Sequence, residues 1–303
     1  MVPVTQRAQL GSSVSRGIRR APGQKALVPA SVLVLTRNEE LNLPKCLASM
    51  AWCDDIVVLD SRSVDETQVI ARSSGARVVE RSFDNYANQR TFGLREIAYR
   101  HPWVLMVDAD EEVPPELVAE LAKKLPDCDP GIGLFRLRRK DHFLGKWIKH
   151  SSGYPTWFGR LVRPERAFVE REINEEYQTD GEVAFLDSHL IHHPFSKGFA
   201  AWFERHNRYS TMEANLLANQ GLDRPSISAV LNADPTVRRK ALKSAAYRLP
   251  FRPVGVFLGL YLFRGGFLEG RAGLMFCLLR SYYELMINCK LREIRRRERG
   301  LGI

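Results

Sequence analysis

The chain has 303 residues, 45% hydrophobic and 26% charged, a globular composition that excludes a mainly disordered or fibrous protein and is long enough for one large or two modest domains. Its formal net charge of +10 is unevenly spread. Residues 1–30 carry Arg7, Arg16, Arg19, Arg20 and Lys25 and no acid, residues 31–237 carry 25 Lys/Arg against 31 Asp/Glu, and residues 238–303 carry 15 against 4. The acidic middle argues against nucleic-acid binding by the main domain and directs the basic tail toward an anionic surface, phosphate or membrane.

Residues 1–29 are basic and rich in Ser, Gly and Ala, without the apolar core of a secretory signal, and read as a disordered arm. Ser31–Leu35 is a buried-strand candidate, followed by a helix that places Leu43, Leu47 and Met50 on one face. Ile56–Leu59 repeats the strand signal. Asp65 and Gln68 form a capping-box-like start for a helix carrying Val69 and Ile70, and Gly75 stands where a C-terminal cap belongs. Ala76–Val79 and Trp103–Val107 complete four strands, whose starts lie 25, 20 and 27 residues apart. That is the spacing of βαβ units, so the expected fold is α/β with a mostly parallel sheet and helices on both faces. A further helix is expected from Pro114-Pro115. Ile132–Leu137 reads as a strand, the Gly/Trp/Arg-rich stretch to Arg166 as loops around a cleft, and Phe199–Ala218 as a helix. Gly221–Pro235 has linker character.

Ligands of such sheets bind beyond the carboxyl ends of the strands. Here three ends are polar: Thr36-Arg37-Asn38-Glu39, Asp60-Ser61-Arg62-Ser63 and Asp108-Ala109-Asp110-Glu111-Glu112. Asp-x-Asp directly after an apolar strand places two carboxylates where they can share a divalent cation and sugar-nucleotide oxygens, the cation acting as Lewis acid on a leaving diphosphate. The alternative is a solvated acidic loop whose Glu111 and Glu112 favour the following helix through its dipole.

In VLTRNEE (34–40), VVLDSRSVDET (57–67), NQRTFGL (88–94) and WVLMVDADEEV (103–113) the chain resembles the family 2 glycosyltransferases of GT-A fold. REINEEY (171–177), the region 192–210 and FRGGFLEGRAG (263–273) are similar to the subgroup containing lipopolysaccharide-core β-1,4-glucosyltransferases. The resemblance implies inverting transfer from a UDP-sugar, with glucose as the default, assisted by Mg²⁺ or Mn²⁺. It places Thr36, Asn38 and Glu39 near the nucleoside, Asp60 on uracil or ribose, and Arg90 facing the nucleotide. Asp108 would reach the ribose or the metal, and Asp110 would be the principal metal ligand.

Inverting transfer needs a base for the acceptor hydroxyl. Glu170, Glu172, Glu175 and Glu176 are candidates. The subgroup's Val-His-Glu corresponds to Ile173-Asn174-Glu175 here, which makes Glu175 the choice and leaves Glu172 and Glu176 as alternatives. His192 and His193 could bind acceptor or phosphate, or serve as loop hydrogen-bonders. Trp147, Tyr154 and Trp157 could stack on sugars or simply pack, and Arg208 could assist the diphosphate or lie on an exposed helix face with Arg205.

The expected organisation is an arm (1–29), a GT-A catalytic domain (30–220), a linker (221–236) and a basic, apolar helical extension (237–303). Its longest strongly apolar run, Pro253–Phe263, has eleven residues, too few to span a bilayer. Apolar stretches with isolated arginines fit helices lying on an anionic membrane surface; the alternatives are a homo-oligomer interface or a helical pair folded back on the catalytic domain. Five cysteines without a C-x-x-C pair indicate a reducing compartment. The expectation is a cytoplasmic enzyme peripheral to the inner face of the membrane, acting on a lipid-linked or envelope glycan and not on nucleic acid. Its rivals are transfer to a polyprenyl phosphate and a non-catalytic binding module.

Overall fold

A computed structural model describes residues 28–170, 176–220, 228, 231 and 251–302. Residues 1–27 of the expected arm lie outside the described residues, as does the expected linker apart from residues 228 and 231.

Strands β1 (Ala30–Thr36), β2 (Ile56–Asp60), β3 (Arg77–Glu80) and β4 (Trp103–Asp108) run parallel in the order β3-β2-β1-β4. Helices α1 (Leu43–Ala48), α2 (Thr67–Ser73) and α3 (Tyr86–Arg95) follow the first three. The inner strands β1, β2 and β4 read as unbroken apolar runs because both faces are covered, whereas the edge strand β3 is only partly buried. Val32, Val34, Val58, Leu105 and Val107 pack with Leu43, Leu47, Leu117 and Leu121 on one face. Leu33, Val57, Leu59, Val104 and Met106 pack with Leu94 and Ile97 on the other. Register places Thr36 opposite Asp60 and Leu35 opposite Asp108, so the polar strand ends meet at one rim.

Two local expectations are corrected. Gly75 does follow α2 with φ +81°, but Gln68 does not close a capping box on Asp65; its amide donates to Asp60 Oδ1 at 2.8 Å. The stretch expected to be loops up to Arg166 contains β7 (Lys146–Trp147) and β8 (Trp157–Val162). Strand β8 lies antiparallel between β4 and a long β6 (Ile132–Phe143), which makes the sheet mixed.

Strand β11 (Glu182–His192) runs parallel to β6, and the short β5 (Glu111–Glu112) closes on β11, setting Glu111 opposite His192. Helix α4 (Pro115–Lys124) starts with proline in its first turn, where its missing N–H is no loss. Strands β9 (Ala167–Glu170) and β10 (Glu176–Thr179) form a separate antiparallel pair.

Helix α5 (Gly198–Gln220) is covered by the C-terminal helix α7 (Gly270–Glu298), on which the short α6 (Arg252–Leu258) packs in turn, with Ser281 Oγ donating to the Pro253 carbonyl at 2.8 Å. Ala214 and Leu217 pack with Ile287 and Leu291, and Lys290 Nζ donates to Asn207 O, Asn207 Oδ1, Ser210 Oγ and Thr211 Oγ1 at 2.5–2.8 Å. At the start of α7, Glu269 accepts the His150 and Ser151 N–H groups and the Ser151 hydroxyl. A Cβ on Gly273 would collide with the Gly266 carbonyl, so glycine permits this close approach. The C-terminal helices therefore fold back onto the sheet domain, and no helix among the described residues is long and apolar enough to cross a membrane.

Candidate active site

The ends of β1 and β2 are zipped together. Asp60, buried at the end of its strand, accepts from Thr36 Oγ1 (2.9 Å), Ser63 N (2.8 Å), Ser63 Oγ and Gln68 Nε2 (2.8 Å). Asn38 takes φ +54°, a left-handed conformation that asparagine tolerates. Its N–H donates to Ser63 Oγ and its Oδ1 accepts from Val64 N. The Glu39 N–H donates to Thr67 Oγ1 at 2.7 Å, while its carboxylate binds Lys197 Nζ at 2.6 Å and Asn42 Nδ2 at 2.7 Å. Burial outweighs those partners and raises the Glu39 pKa. Thr36, Asn38, Glu39 and Asp60 thus form one preorganised rim.

The end of β4 carries a denser charge cluster. Asp108 is bound by Arg160 Nη2 at 2.7 Å and by Arg90 Nη2 at 3.3 Å, and Arg90 also donates to the Tyr177 hydroxyl. Arg160, only 6% exposed, bridges onward to Glu111 Oε1 at 3.0 Å, which Arg139 reaches at 3.4 Å. Burial alone would raise the Asp108 pKa, but Arg160 and Arg90 hold it far below the carboxylate range. Glu111, more enclosed, is raised by burial despite Arg160.

Asp110 lies apart from this cluster. Its Oδ2 faces His192 Nε2 at 3.4 Å and Arg205 Nη1 at 3.9 Å. His192 Nδ1 meets Asp141 Oδ1 at 2.7 Å. Burial and Arg139 disfavour its protonation, yet the flanking carboxylates push its pKa up to about 9, so it is an imidazolium at neutral pH. His192 in turn keeps Asp110 ionised against burial. Asp110 borders a cleft of about 380 Å³ whose lining includes Asn42, Lys45, Glu112, His142 and His193. There Glu112 pairs with Lys45 at 2.7 Å and with His193.

The structure thus brings together seven of the residues singled out in the sequence: Thr36, Asn38, Glu39 and Asp60 on one rim, and Arg90, Asp108 and Asp110 beside it. Glu175 and Glu172 lie outside the described residues. Glu176 pairs with Arg136 at 2.9 Å. Sequence reasoning did not find Arg160, Glu111, Arg139 or Asp141 as site members. Glu111 was legible only as part of the acidic strand end, while Arg139, Asp141 and Arg160 fell in the stretch expected to be loops, and the partners of Arg160 are 49 and 52 positions away.

Residues 31–180 match the family Glycosyl transferase family 2. The chain is 26% identical over 266 residues, 83% of its length and 90% of the relative's, to the lipopolysaccharide core biosynthesis glycosyltransferase LpsC of Rhizobium meliloti. It is 36% identical over 120 residues to the uncharacterized glycosyltransferase RC0292 of Rickettsia conorii, a match covering 39% of this chain and 38% of that one. Among solved structures, the mannosyltransferase PcManGT of Pyrobaculum calidifontis, in complex with GDP-Man and Mn²⁺, is similar with a TM-score of 0.46 at 16% identity over 87% of each chain.

Proposed function

Since this chain is a glycosyltransferase carrying a family 2 domain, we propose that it transfers a hexose, glucose by default, from a UDP-sugar to a hydroxyl of a lipid-linked or cell-envelope glycan, with inversion. The observation that carries this reading is the division of labour in Asp108-Ala-Asp110. Both Asp108 oxygens are taken by guanidinium groups, whereas Asp110 borders the cleft with an imidazolium as its nearest partner.

Among the described residues no group of three or more His, Cys, Asp or Glu could hold a metal ion by itself. The donor set nevertheless suits Mg²⁺ or Mn²⁺, because a hard cation takes oxygen ligands and commonly completes its shell with substrate phosphate and water around one or two carboxylates. Asp110 would hold it, with Asp108 turned to the ribose. The bound cation would supply charge neutralisation for the departing diphosphate.

The chain's own groups supply the rest. The rim of Thr36, Asn38, Glu39 and Asp60 orients the nucleoside, and Arg90, fixed between Asp108 and Tyr177, supports the nucleotide. Glu175 removes the acceptor proton as the hydroxyl attacks opposite the diphosphate; Glu176 is already committed to Arg136.

The C-terminal extension supports a membrane-peripheral location on the cytoplasmic face. Phe263 is 88% exposed, Phe251 75% and Leu268 66%, on a segment that also carries Arg264 and Arg271. Exposed aromatic and aliphatic side chains beside arginines suit burial in an anionic lipid interface.

The test is UDP release from a panel of UDP-sugars with Mn²⁺ and membrane lipid extract, comparing the wild type with Asp110→Ala. Donor-selective, metal-dependent release that falls by about 10²–10³-fold in the variant is expected, the scale of losing a principal electrostatic stabiliser. No release and no UDP binding in the wild type would overturn the reading.

A further inference from the structure

Strand β6 sends its residues to two different charge environments. Arg139 and Asp141 point into the acid cluster at Glu111 and His192. Residues two apart share a face, so Arg136, Arg138 and Lys140 line the other side. There the Arg138 guanidinium lies over the rings of Trp157 (4.9 Å) and Tyr154 (5.9 Å). The ammonium groups of Lys140 and Lys149 lie 4.4 and 5.7 Å from the Trp147 ring.

The charge on this face is unbalanced. Arg136 has Glu176 as its partner, but Arg138, Lys140 and Lys149 have no carboxylate within ion-pairing distance among the described residues, and Arg138 finds only the Asp187 carbonyl. His189 stands opposite Arg138 in the sheet. Its burial together with Lys140 and Arg138 pushes its pKa down to about 4, against a weak opposing pull from Glu116. Aromatic faces hold cations in place without neutralising them, so this wall keeps its positive field.

Its position says what that field meets. Toward the cleft, Lys140 is two residues from His142, which lines the cavity at Asp110. On the other side, Arg264 donates to the carbonyls of His150 and Tyr154 and adjoins the exposed Phe263. The wall therefore lies between the cleft at Asp110 and the apolar surface of the extension.

We propose that Arg138, Lys140 and Lys149 form an acceptor subsite for an anionic group, a phosphate or carboxylate carried on the acceptor sugar. This rests on the transferase reading above and adds the chemical class of the acceptor. The subsite anchors the acceptor by charge and leaves its reactive hydroxyl free to extend into the cleft.

The experiment uses the full chain saturated with UDP and Mn²⁺, with Trp147 and Trp157 as internal fluorophores. Glucose 6-phosphate is titrated against neutral glucose, and vesicles of phosphatidic acid against phosphatidylcholine. A saturable response to glucose 6-phosphate and not to glucose is expected, weakened at least tenfold in the Arg138→Gln/Lys140→Gln variant and retained in the charge-preserving Arg138→Lys/Lys140→Arg variant. If only phosphatidic acid binding shows that charge dependence, the subsite stands and its anion belongs to a lipid headgroup. A response to glucose equal to that of its phosphate, or anion responses identical in all three proteins, overturns the proposal. UDP affinity, measured calorimetrically on each protein before UDP is added, reports separately on folding and on the transferase reading, because among the described residues Arg138, Lys140 and Lys149 share no hydrogen bond or ion pair with the Asp60 rim.

Discussion

Replacing Arg160 with Met removes the side chain that bridges the partly buried Asp108 and the buried Glu111, and the consequence can be worked from the distances. Arg160 lies 2.7 Å from Asp108 and 3.0 Å from Glu111. At an effective dielectric of about 20, each contact is an attraction of about 6 kcal/mol. Much of that is offset by the cost of burying the guanidinium, and the residue left after deleting one partner of a buried ionic network is a destabilisation of about 3–5 kcal/mol. Arg90 at 3.3 Å and Arg139 at 3.4 Å remain, which favours the lower end. Urea unfolding at neutral pH is the assay. With an m-value of about 2–3 kcal/mol/M, the midpoint should fall by about 1–2 M. Adding Glu111→Gln to Arg160→Met removes one stranded carboxylate and should recover about 1 kcal/mol or more, a coupling between neighbours that separate single changes would not show. A midpoint shift below about 0.3 M for Arg160→Met, or a double variant less stable than the single one, would refute the reasoning.

At the opposite end of the sheet, Asp55 is buried and accepts from Ser31 Oγ, the Arg100 N–H and Arg77; burial alone would raise its pKa, but these donors hold it low. Asp55→Asn should cost about 2–3 kcal/mol at pH 7. Because the folded pKa is depressed, that contribution is fully present above the unfolded value near 3.9 and is lost as pH falls from there through the folded pKa, so the gap between the two urea curves should narrow progressively as pH drops below about 4. UDP affinity should be unchanged. Gly93→Ala would set a methyl 2.5 Å from Leu33 Cδ2, an overpacking cost of about 1–3 kcal/mol, seen as a lower Tm that Leu33→Val in the same chain partly restores.

The inner strands β1, β2 and β4 were legible because each is a short apolar run with both faces buried, and the edge strand β3 because Val78 and Val79 pack against opposite faces, a signal carried by the residues themselves. The polar rim was legible for the same reason, since topology places whatever follows such strands at one edge. Strand β8 was not. Trp157-Phe-Gly-Arg-Leu-Val162 puts an arginine amid apolar residues, which reads as an exposed loop unless its partners are known. Those partners, Asp108 and Glu111, lie on β4 and β5, and the antiparallel pairing that joins β8 to β4 has no local signature. The failure of Gln68 to cap α2 has a related cause: Asp60 competes for its amide from a neighbouring strand end. Burial of charge is settled by pairing across the fold, and sequence spacing does not encode it.

This pairing also assigns different chemistry to the two carboxylates of one tripeptide. At neutral pH, Asp108 carries a negative charge already answered by two guanidinium groups, and a guanidinium cannot be titrated away. A dication approaching Asp108 would have to displace Arg160 and leave it, with Glu111, in a buried site missing one member. Asp110 makes no such demand. Its partner His192 is shared with Asp141, and a histidine that retains Asp141 can yield its contact with Asp110 without becoming an isolated buried charge. The same arginines that fix Asp108 offset its repulsion for an anion, while Asp110 stays ionised beside the cleft. On the proposed reading, the guanidinium pairs fix Asp108 in the site's framework, and Asp110 is the carboxylate left for a cation.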